Sequence, residues 1–243
     1  MSLALKLALS PLLLTQAVLT RRRLPRLPEA DGPRRGSVGR GRVLSLLVVG
    51  DSSAAGVGVD TQDDALALQL ATALAGQGGR RVRWQLCARS GVTTAQALDL
   101  LREDAPSPAA VAVLVTGVND VIDQVPTARA VAARETLHRT LRHDHGVRHL
   151  VLTPVPPMQR FAGLPQPLRW IAGRDAAAHD RAMAAWAAGR DDVSHLPFDL
   201  PLDGPLLARD GFHPGPQVYR AWAQTLADHI SRQVLPRIER TNH

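Results

Sequence analysis

From residue 42 onward, short apolar runs alternate with longer amphipathic stretches. The apolar runs are typical of strands buried on both faces, and they lie at 43–49, 82–87, 111–115, 150–153 and 193–196. The stretches between and after them have helical character, and they lie at 61–74, 94–101, 127–141, 170–189 and 217–230. Thr61 and Asp64 stand at capping-box spacing and predict the start of the first of these helices. Because strands that alternate with helices pair in parallel through crossover connections, we predict an α/β fold, a three-layer α/β/α sandwich with about five parallel strands.

The first 41 residues precede this pattern and differ from it. Residues 3–19 are apolar but interrupted by Lys6, Pro11 and Gln16, so they make a poor bilayer span, and no A-x-A-like cleavage site precedes the arginines that follow. Three interpretations remain open: a helix lying on a membrane, a helix docked on the protein's own surface, and an export signal. Residues 24–41 are rich in arginine, proline and glycine and are interpreted as a linker rather than packed structure. We therefore divide the chain into an N-terminal segment with its linker at 1–41 and a catalytic domain at 42–243.

The net charge of +7 would suit an anionic membrane or a nucleic acid. Lys6 is the only lysine, and the arginines are spread along the chain except for a cluster between Arg21 and Arg42. With eight aromatic residues, a stacking platform for single strands is not expected, so we predict no nucleic-acid partner. The single cysteine, Cys87, excludes an intramolecular disulfide and is interpreted as an inert buried thiol. Without disulfides or a convincing signal, we expect a location in the cytoplasm or on the inner face of a membrane, with export not excluded.

Polar residues follow the apolar runs, where the carboxyl ends of parallel strands are expected to meet. They stand in four groups along the chain: Gly50-Asp51-Ser52, Ser90-Gly91, Gly117-Val118-Asn119-Asp120 and Asp210-Gly211-Phe212-His213. A serine hydroxyl needs a nearby base to become a nucleophile, and that base needs a third group to orient it. Ser52, His213 and Asp210 supply these three types of group.

The order and spacing of these groups resemble the SGNH hydrolases, also called the GDSL esterase and lipase superfamily, over roughly residues 43–232. The resemblance implies a flavodoxin-like parallel sheet and a serine esterase that hydrolyses carboxylic esters or thioesters, lipid and lysophospholipid acyl esters among them. It implies Ser52 as nucleophile, with His213 as base and Asp210 as its orienter. The oxyanion hole would consist of the backbone N–H groups of Ser52 and Gly91 and the side-chain amide of Asn119. Ser53 departs from the leucine of the family's name motif, which leaves the catalytic set untouched.

The remaining polar and apolar candidates have less specific roles. Asp51 is expected to hold the nucleophile's loop by accepting backbone N–H bonds, and Asp120 to give structural support. Met158, Phe161 and Trp170 lie in or near a proline-rich excursion at 154–168 and are candidate substrate contacts that favour an acyl group. The other eight histidines are expected at the surface or at interfaces, and His143, Asp144 and His145 do not form a convincing metal site. We expect no cofactor and no metal.

Other classes of function are less well supported. No G-x-G-x-x-G or P-loop pattern is present, which argues against nucleotide binding, and no G-x-S-x-G elbow is present, which argues against an α/β-hydrolase. A membrane-associated or acetyl-carbohydrate esterase of the same fold, and a non-enzymatic basic binding module with a decayed hydrolase site, remain as alternatives. The sequence does not indicate an oligomeric state.

Overall fold

A computed structural model describes residues 3–23, 25–161, 163–197 and 206–240. Six strands form one sheet: β1 (Arg35–Val38), β2 (Val43–Gly50), β3 (Arg81–Ala88), β4 (Val111–Val115), β5 (His149–Leu152) and β6 (Val193–His195). Their order is β1-β3-β2-β4-β5-β6, and all neighbours pair in parallel except β1 with β3. The five parallel strands confirm the predicted number and have the 2-1-3-4-5 order of a flavodoxin-like sheet.

Helices cover both faces of this sheet. They are α1 (Leu3–Arg23), α2 (Leu66–Gly78), α3 (Ala97–Asp104), α4 (Val118–Ile122), α5 (Thr127–His145), α6 (Leu168–Ala188), α7 (Pro216–His229) and α8 (Leu235–Arg240), with a π-helical turn between the last two. Helix α2 packs against α7, and α5 packs against α6. Because crossover connections are right-handed, these two pairs lie on opposite faces of the sheet and give the predicted three layers.

The core lies between these layers and follows from the apolar runs. Residues 46–49 of β2 and 111–113 of β4 have no solvent exposure, as expected of central strands covered on both faces. Cys87 at the end of β3 is buried, and burial raises the pKa of its thiol to about 12. The interpretation of Cys87 as a buried thiol is confirmed.

Two helix starts differ from the prediction. Helix α2 begins at Leu66 rather than at Thr61, because the chain from the nucleophile's loop to residue 65 forms a series of turns. Helix α3 begins at Ala97, where Thr93 and Gln96 bond to each other as a capping pair, with 2.9 Å from the Thr93 nitrogen to Gln96 Oε1. The capping-box prediction at Thr61 is therefore wrong.

The interpretation of residues 24–41 as an unpacked linker is also wrong in part. Strand β1 lies within that range and pairs antiparallel with β3, which adds an edge strand to the sheet. Ala30 is buried, and the N–H of Asp31 donates to the carbonyl of Asp60 at 2.9 Å. The division of the chain at residue 41 remains a prediction, but this segment is packed against the sheet.

Helix α1 lies against the start of α6. Gln16 makes two hydrogen bonds to the backbone there: its Nε2 donates to the Gln166 carbonyl at 2.6 Å, and its Oε1 accepts from the Leu168 N–H at 3.2 Å. In the part of the chain that the structure describes, no helix combines the length and the apolar character needed to cross a membrane.

Candidate active site

Four loops at the carboxyl edge of the sheet carry the predicted site residues. Ser52 follows β2, Gly91 follows β3, Asn119 lies in α4 directly after β4, and Asp210 and His213 lie before α7. The chain thus brings together residues that are up to 161 positions apart in sequence. This is the edge at which open parallel sheets bind ligands.

Ser52, His213 and Asp210 form a continuous hydrogen-bonded chain. The Oγ of Ser52 lies 2.9 Å from Nε2 of His213, and the Nδ1 of His213 lies 2.6 Å from Oδ2 of Asp210. The other carboxylate oxygen of Asp210 accepts the backbone N–H groups of Phe212 and His213, each at 3.0 Å. Burial disfavours the ionised carboxylate, but the hydrogen bonds from His213 and the backbone outweigh it, so the pKa of Asp210 is lowered. Asp210 is therefore held as an anion that orients the imidazole.

Asp51 precedes the nucleophile and is 2% exposed. Its Oδ1 accepts the N–H of Ser53 at 3.1 Å, which is the loop-holding bond predicted for it. Burial raises the pKa of Asp51 to about 7, and the Ser53 N–H opposes that rise only in part. The carboxyl beside the nucleophile therefore titrates near neutrality.

Two of the predicted oxyanion donors present backbone N–H groups at the site. Gly91 has a φ of +84°, a left-handed conformation that favours glycine, and a Cβ built on it would meet open space. Among the described residues, none accepts a hydrogen bond from the N–H of Ser52 or of Gly91. The third donor is engaged within the protein: Nδ2 of Asn119 lies 3.0 Å from the Val92 carbonyl and 3.5 Å from Oδ2 of Asp51. The roles of all three groups as oxyanion donors stay predictions.

Asp120 gives the structural support predicted for it. Its Oδ1 accepts the N–H of Thr94 at 3.1 Å, and its Oδ2 accepts the Thr94 hydroxyl, which also lies 2.9 Å from the hydroxyl of Thr116. Thr94 belongs to the loop of Gly91, and Thr116 directly follows β4. Asp120 thus ties together the two loops that carry Gly91 and Asn119.

Arg134 on α5 is a partner of Asp120 that the sequence analysis missed. Its Nη2 lies 3.6 Å from Oδ2 of Asp120, and both side chains are 1% exposed. Within the described ranges, none of its three guanidinium nitrogens has a hydrogen-bond partner. Gly117 makes room for it: with a φ of +130°, a Cβ there would lie 3.2 Å from Arg134 Nη2 and 2.6 Å from Val155. No local motif marks such a residue, because its contacts are made across the fold.

Glu29 is a second missed residue, and it lies in the segment interpreted as a linker. Its Oε1 accepts the N–H of Ser90 at 2.6 Å, and its Oε2 pairs with Arg34. Arg34 in turn donates to the carbonyl of Ala88. The segment before β1 thereby holds the backbone on both sides of Arg89, directly before Gly91.

The predicted substrate contacts are separated by the fold. Phe161 lines an apolar pocket beside Asp51 and Ser53, and its ring packs against Phe212 at 4.6 Å between centroids. The pocket's other apolar lining includes Val118, Pro154, Pro156, Phe212, Pro214 and Trp222. Met158 is buried in the core and Trp170 is 42% exposed on α6, and neither lines this pocket.

The expectation for the remaining histidines is partly wrong. His138, His145, His149 and His179 are buried, while His243 lies outside the described residues. His138 bonds to Asp192 at 2.9 Å and His149 to Ser194 at 3.1 Å, so they serve packing within the domain. Among the described residues, no group of three or more histidine, cysteine, aspartate or glutamate side chains is arranged to hold a metal ion.

Comparisons with known proteins identify relatives of this chain and of its fold. The chain is 28% identical over 192 residues to a GDSL-like esterase of Mycobacterium tuberculosis, a match that covers 75% of this chain and 60% of that protein's length. The crystal structure of TesA is similar with a TM-score of 0.59 and 25% identity, over 79% of this chain and 98% of TesA. A lipase from a goat rumen metagenome shares the fold with a TM-score of 0.63 and 16% identity, over 76% of this chain and 96% of the lipase.

A family model covers most of the predicted catalytic domain. Residues 48–221 match the GDSL-like lipase/acylhydrolase family, a range that begins within β2, just before Ser52, and continues past His213 into α7. The four blocks of polar residues named from the sequence all fall inside this range. The chain belongs to the GDSL-like lipase/acylhydrolase family.

Proposed function

We propose that this protein is a serine carboxylic ester hydrolase that works through an acyl-enzyme on Ser52, without a metal or cofactor. The observation that carries the proposal is the Ser52, His213 and Asp210 chain of hydrogen bonds, with distances of 2.9 and 2.6 Å. Membership of the acylhydrolase family supports the same reaction type. An assembled triad also argues against a binding module whose catalytic site has decayed.

Each step follows from the position of a proton. His213 Nε2 takes the proton of the Ser52 hydroxyl while Oγ attacks the ester carbonyl, and the Asp210 carboxylate stabilises the imidazolium that forms. His213 then gives the proton to the leaving alcohol as the carbon–oxygen bond breaks, which leaves the acyl group on Ser52. A water molecule attacks that acyl group, His213 takes its proton, and return of the proton to Oγ releases the acid.

The negative charge on the carbonyl oxygen would be stabilised by the N–H groups of Ser52 and Gly91. A third donor, Asn119, could join them only if its amide turns from the Val92 carbonyl and Asp51 towards the substrate. Loss of one such donor costs roughly a hundred- to a thousand-fold in turnover.

The pocket beside Asp51 favours an apolar acyl group over a sugar on that side of the nucleophile. Its lining is mostly apolar, with prolines, valines, phenylalanines and Trp222 beside two threonines, and Phe212 connects it directly to His213, with 5.1 Å between the two ring centroids. We therefore propose acyl esters as the substrate class, lipid and lysophospholipid esters among them, and acyl thioesters as the alternative.

The test is hydrolysis of p-nitrophenyl esters from acetate to a long acyl chain, with and without chelator. Ser52→Ala and His213→Ala should each abolish hydrolysis while the protein stays folded. Ser107→Ala and His143→Ala are the matched controls, because Ser107 is exposed and bonds to Gln85 through its backbone, and His143 lies on the exposed side of α5. A serine-reactive phosphonate should label Ser52. Activity that survives both triad substitutions would overturn the proposal, and the optimum chain length would report the size of the acyl pocket.

A further inference from the structure

Among the described side chains of helix α1, apolar ones are exposed on most sides of the helix. The helix meets the domain with residues 13, 16 and 20, which recur at helical spacing on one face. Leu12 is 47% exposed, Leu14 66%, Val18 50% and Leu19 42%. A protein surface rarely leaves four such side chains together in water, so this helix presents a surface for an apolar partner.

Positive charge borders this apolar surface. Arg22 and Arg23 end α1, Arg26 follows, and all three are exposed. Trp170 is 42% exposed near the start of α6, with the Arg174 guanidinium 5.1 Å from its ring centroid. Leucine and valine side chains beside arginine and tryptophan complement a lipid surface, where acyl chains meet anionic headgroups.

The surface lies at the catalytic edge of the sheet. Helix α6 connects the carboxyl end of β5 to the start of β6, so its first residues lie at the edge that carries Ser52. Gln16 bonds to the backbone at 166 and 168, directly before and at the start of α6. The same connection contributes Phe161, which packs on Phe212 beside His213. One loop therefore joins the exposed helix to the triad.

We propose that α1, Arg22, Arg23, Arg26 and Trp170 form a docking surface for an anionic lipid bilayer, and that this surface brings the catalytic edge to esters held in the membrane. The second half of this statement rests on the proposed esterase activity, and the first half does not. The occupant is lipid rather than a second copy of the chain, because a second copy would set the arginine clusters of the two molecules against each other or leave them without a complementary charge.

Cosedimentation with vesicles tests the docking. The chain of residues 1–243 should pellet with vesicles that contain phosphatidylglycerol and much less with pure phosphatidylcholine. Leu14→Asp with Val18→Asp should abolish pelleting. Val43→Asp is the matched control, because Val43 is 49% exposed but starts β2 at the opposite edge of the sheet. A variant that pellets like wild type in spite of both aspartates at 14 and 18 would overturn the proposal.

Charge is tested by Arg22→Gln with Arg23→Gln. Each arginine near an anionic surface contributes about fivefold in binding, so we expect the pair to weaken binding to phosphatidylglycerol vesicles roughly thirtyfold. Arg83→Gln with Arg129→Gln removes the same charge from exposed positions elsewhere and should leave binding unchanged. Equal losses in the two double variants would mean that net charge alone drives binding, and this would overturn the docking surface.

Two substrates separate this inference from the proposed function. The variant with aspartate at 14 and 18 should keep wild-type hydrolysis of soluble p-nitrophenyl acetate and lose hydrolysis of a long-chain p-nitrophenyl ester embedded in vesicles. Ser52→Ala should bind vesicles like wild type and hydrolyse neither ester. Binding without any hydrolysis by wild type would refute the esterase and keep the docking surface. Hydrolysis without binding, or a wild-type dimer in sedimentation velocity that the aspartates convert to a monomer, would refute the docking surface and keep the esterase.

Discussion

The guanidinium of Arg134 and the carboxylate of Asp120 face each other in the interior, 3.6 Å apart, with each side chain 1% exposed. Removal of one partner of a buried ion pair leaves the other charged group without compensation. We expect Arg134→Met to lower the free energy of unfolding by about 3–5 kcal/mol, measured by urea denaturation. The double variant with Asp120→Asn should recover part of that loss, because it no longer buries an unpaired charge.

The same pair should affect turnover as well as stability. Asp120 holds Thr94 through both carboxylate oxygens, and its neighbour Asn119 is a predicted oxyanion donor. Arg134→Met should therefore lower the turnover per active site, counted by titration with a phosphonate, so that unfolded protein does not contribute. A turnover number per titrated site equal to that of wild type would show that Arg134 contributes to stability alone.

Glu29 should also affect catalysis, although it lies 23 residues before the nucleophile in a segment that has no motif. Glu29→Ala removes the acceptor of the Ser90 N–H, next to Gly91, and leaves Arg34 without its carboxylate. A charge-assisted hydrogen bond contributes about 1.5–3 kcal/mol. We expect about 1.4 kcal/mol of this free energy to be lost from the stabilisation of the transition state, which would lower kcat/KM for a soluble ester roughly tenfold.

The control for Glu29 is the ion pair between Arg89, on the same loop as Ser90, and Glu103 in α3. Its side chains are 56% and 53% exposed, and exposed pairs contribute about 1 kcal/mol or less. Glu103→Ala should therefore leave kcat/KM close to the wild-type value. Similar losses in the two variants would mean that the loop responds to any lost charge rather than to the bond from Ser90.

The sequence predicted the parts of the fold and site that depend on local pattern. The five parallel strands follow from apolar runs that are buried on both faces, and the triad follows from polar residues at strand ends. Strand β1 could not be predicted in this way, because Arg-Gly-Ser-Val carries no apolar alternation and becomes a strand only by pairing with β3. Arg134 and Glu29 act through contacts made by tertiary packing, and no spacing in the sequence marks them. Trp170 shows that a position in the sequence can also mislead. Its place near the proline-rich loop suggested a substrate contact, but at the start of α6 its side chain is exposed to solvent.

Asp210 should be necessary for turnover. It should also stabilise the folded protein at neutral pH. In Asp210→Asn, the side-chain oxygen can still accept the N–H groups of Phe212 and His213, so the loop should keep its shape. The amide nitrogen would then face Nδ1 of His213 and favour the wrong tautomer, and we expect kcat to fall roughly a thousand- to ten-thousand-fold. A loss below tenfold would mean that Ser52 and His213 act as a dyad.

The pH dependence of stability follows from the same carboxylate. Because the folded-state pKa of Asp210 is lowered, its contribution is present above the unfolded-state pKa and is lost as pH falls through the folded-state pKa. The unfolding free energy of Asp210→Asn should therefore decrease less than that of wild type on acidification. Urea denaturation at several acidic pH values measures this difference, and parallel wild-type and variant curves would contradict it.

The contribution of Asp51 to stability should have the opposite pH dependence to that of Asp210, although both residues lie in the same site. Burial raises its pKa from 3.8 to about 7, so the folded protein holds this proton more tightly than the unfolded chain does. Its contribution to stability is therefore full below the unfolded-state pKa of 3.8 and is lost as pH rises through about 7, on the order of a few kcal/mol in total. Asp51→Asn keeps an oxygen for the Ser53 N–H but cannot ionise, so its unfolding free energy should decline less than that of wild type over this range. Urea denaturation in a pH series measures the two slopes, with the exposed Asp63→Asn as control that should follow wild type. Equal slopes for Asp51→Asn and wild type would show that the fold does not raise the pKa of Asp51, and the carboxylate beside Ser52 would then oppose the negative charge of the transition state at neutral pH.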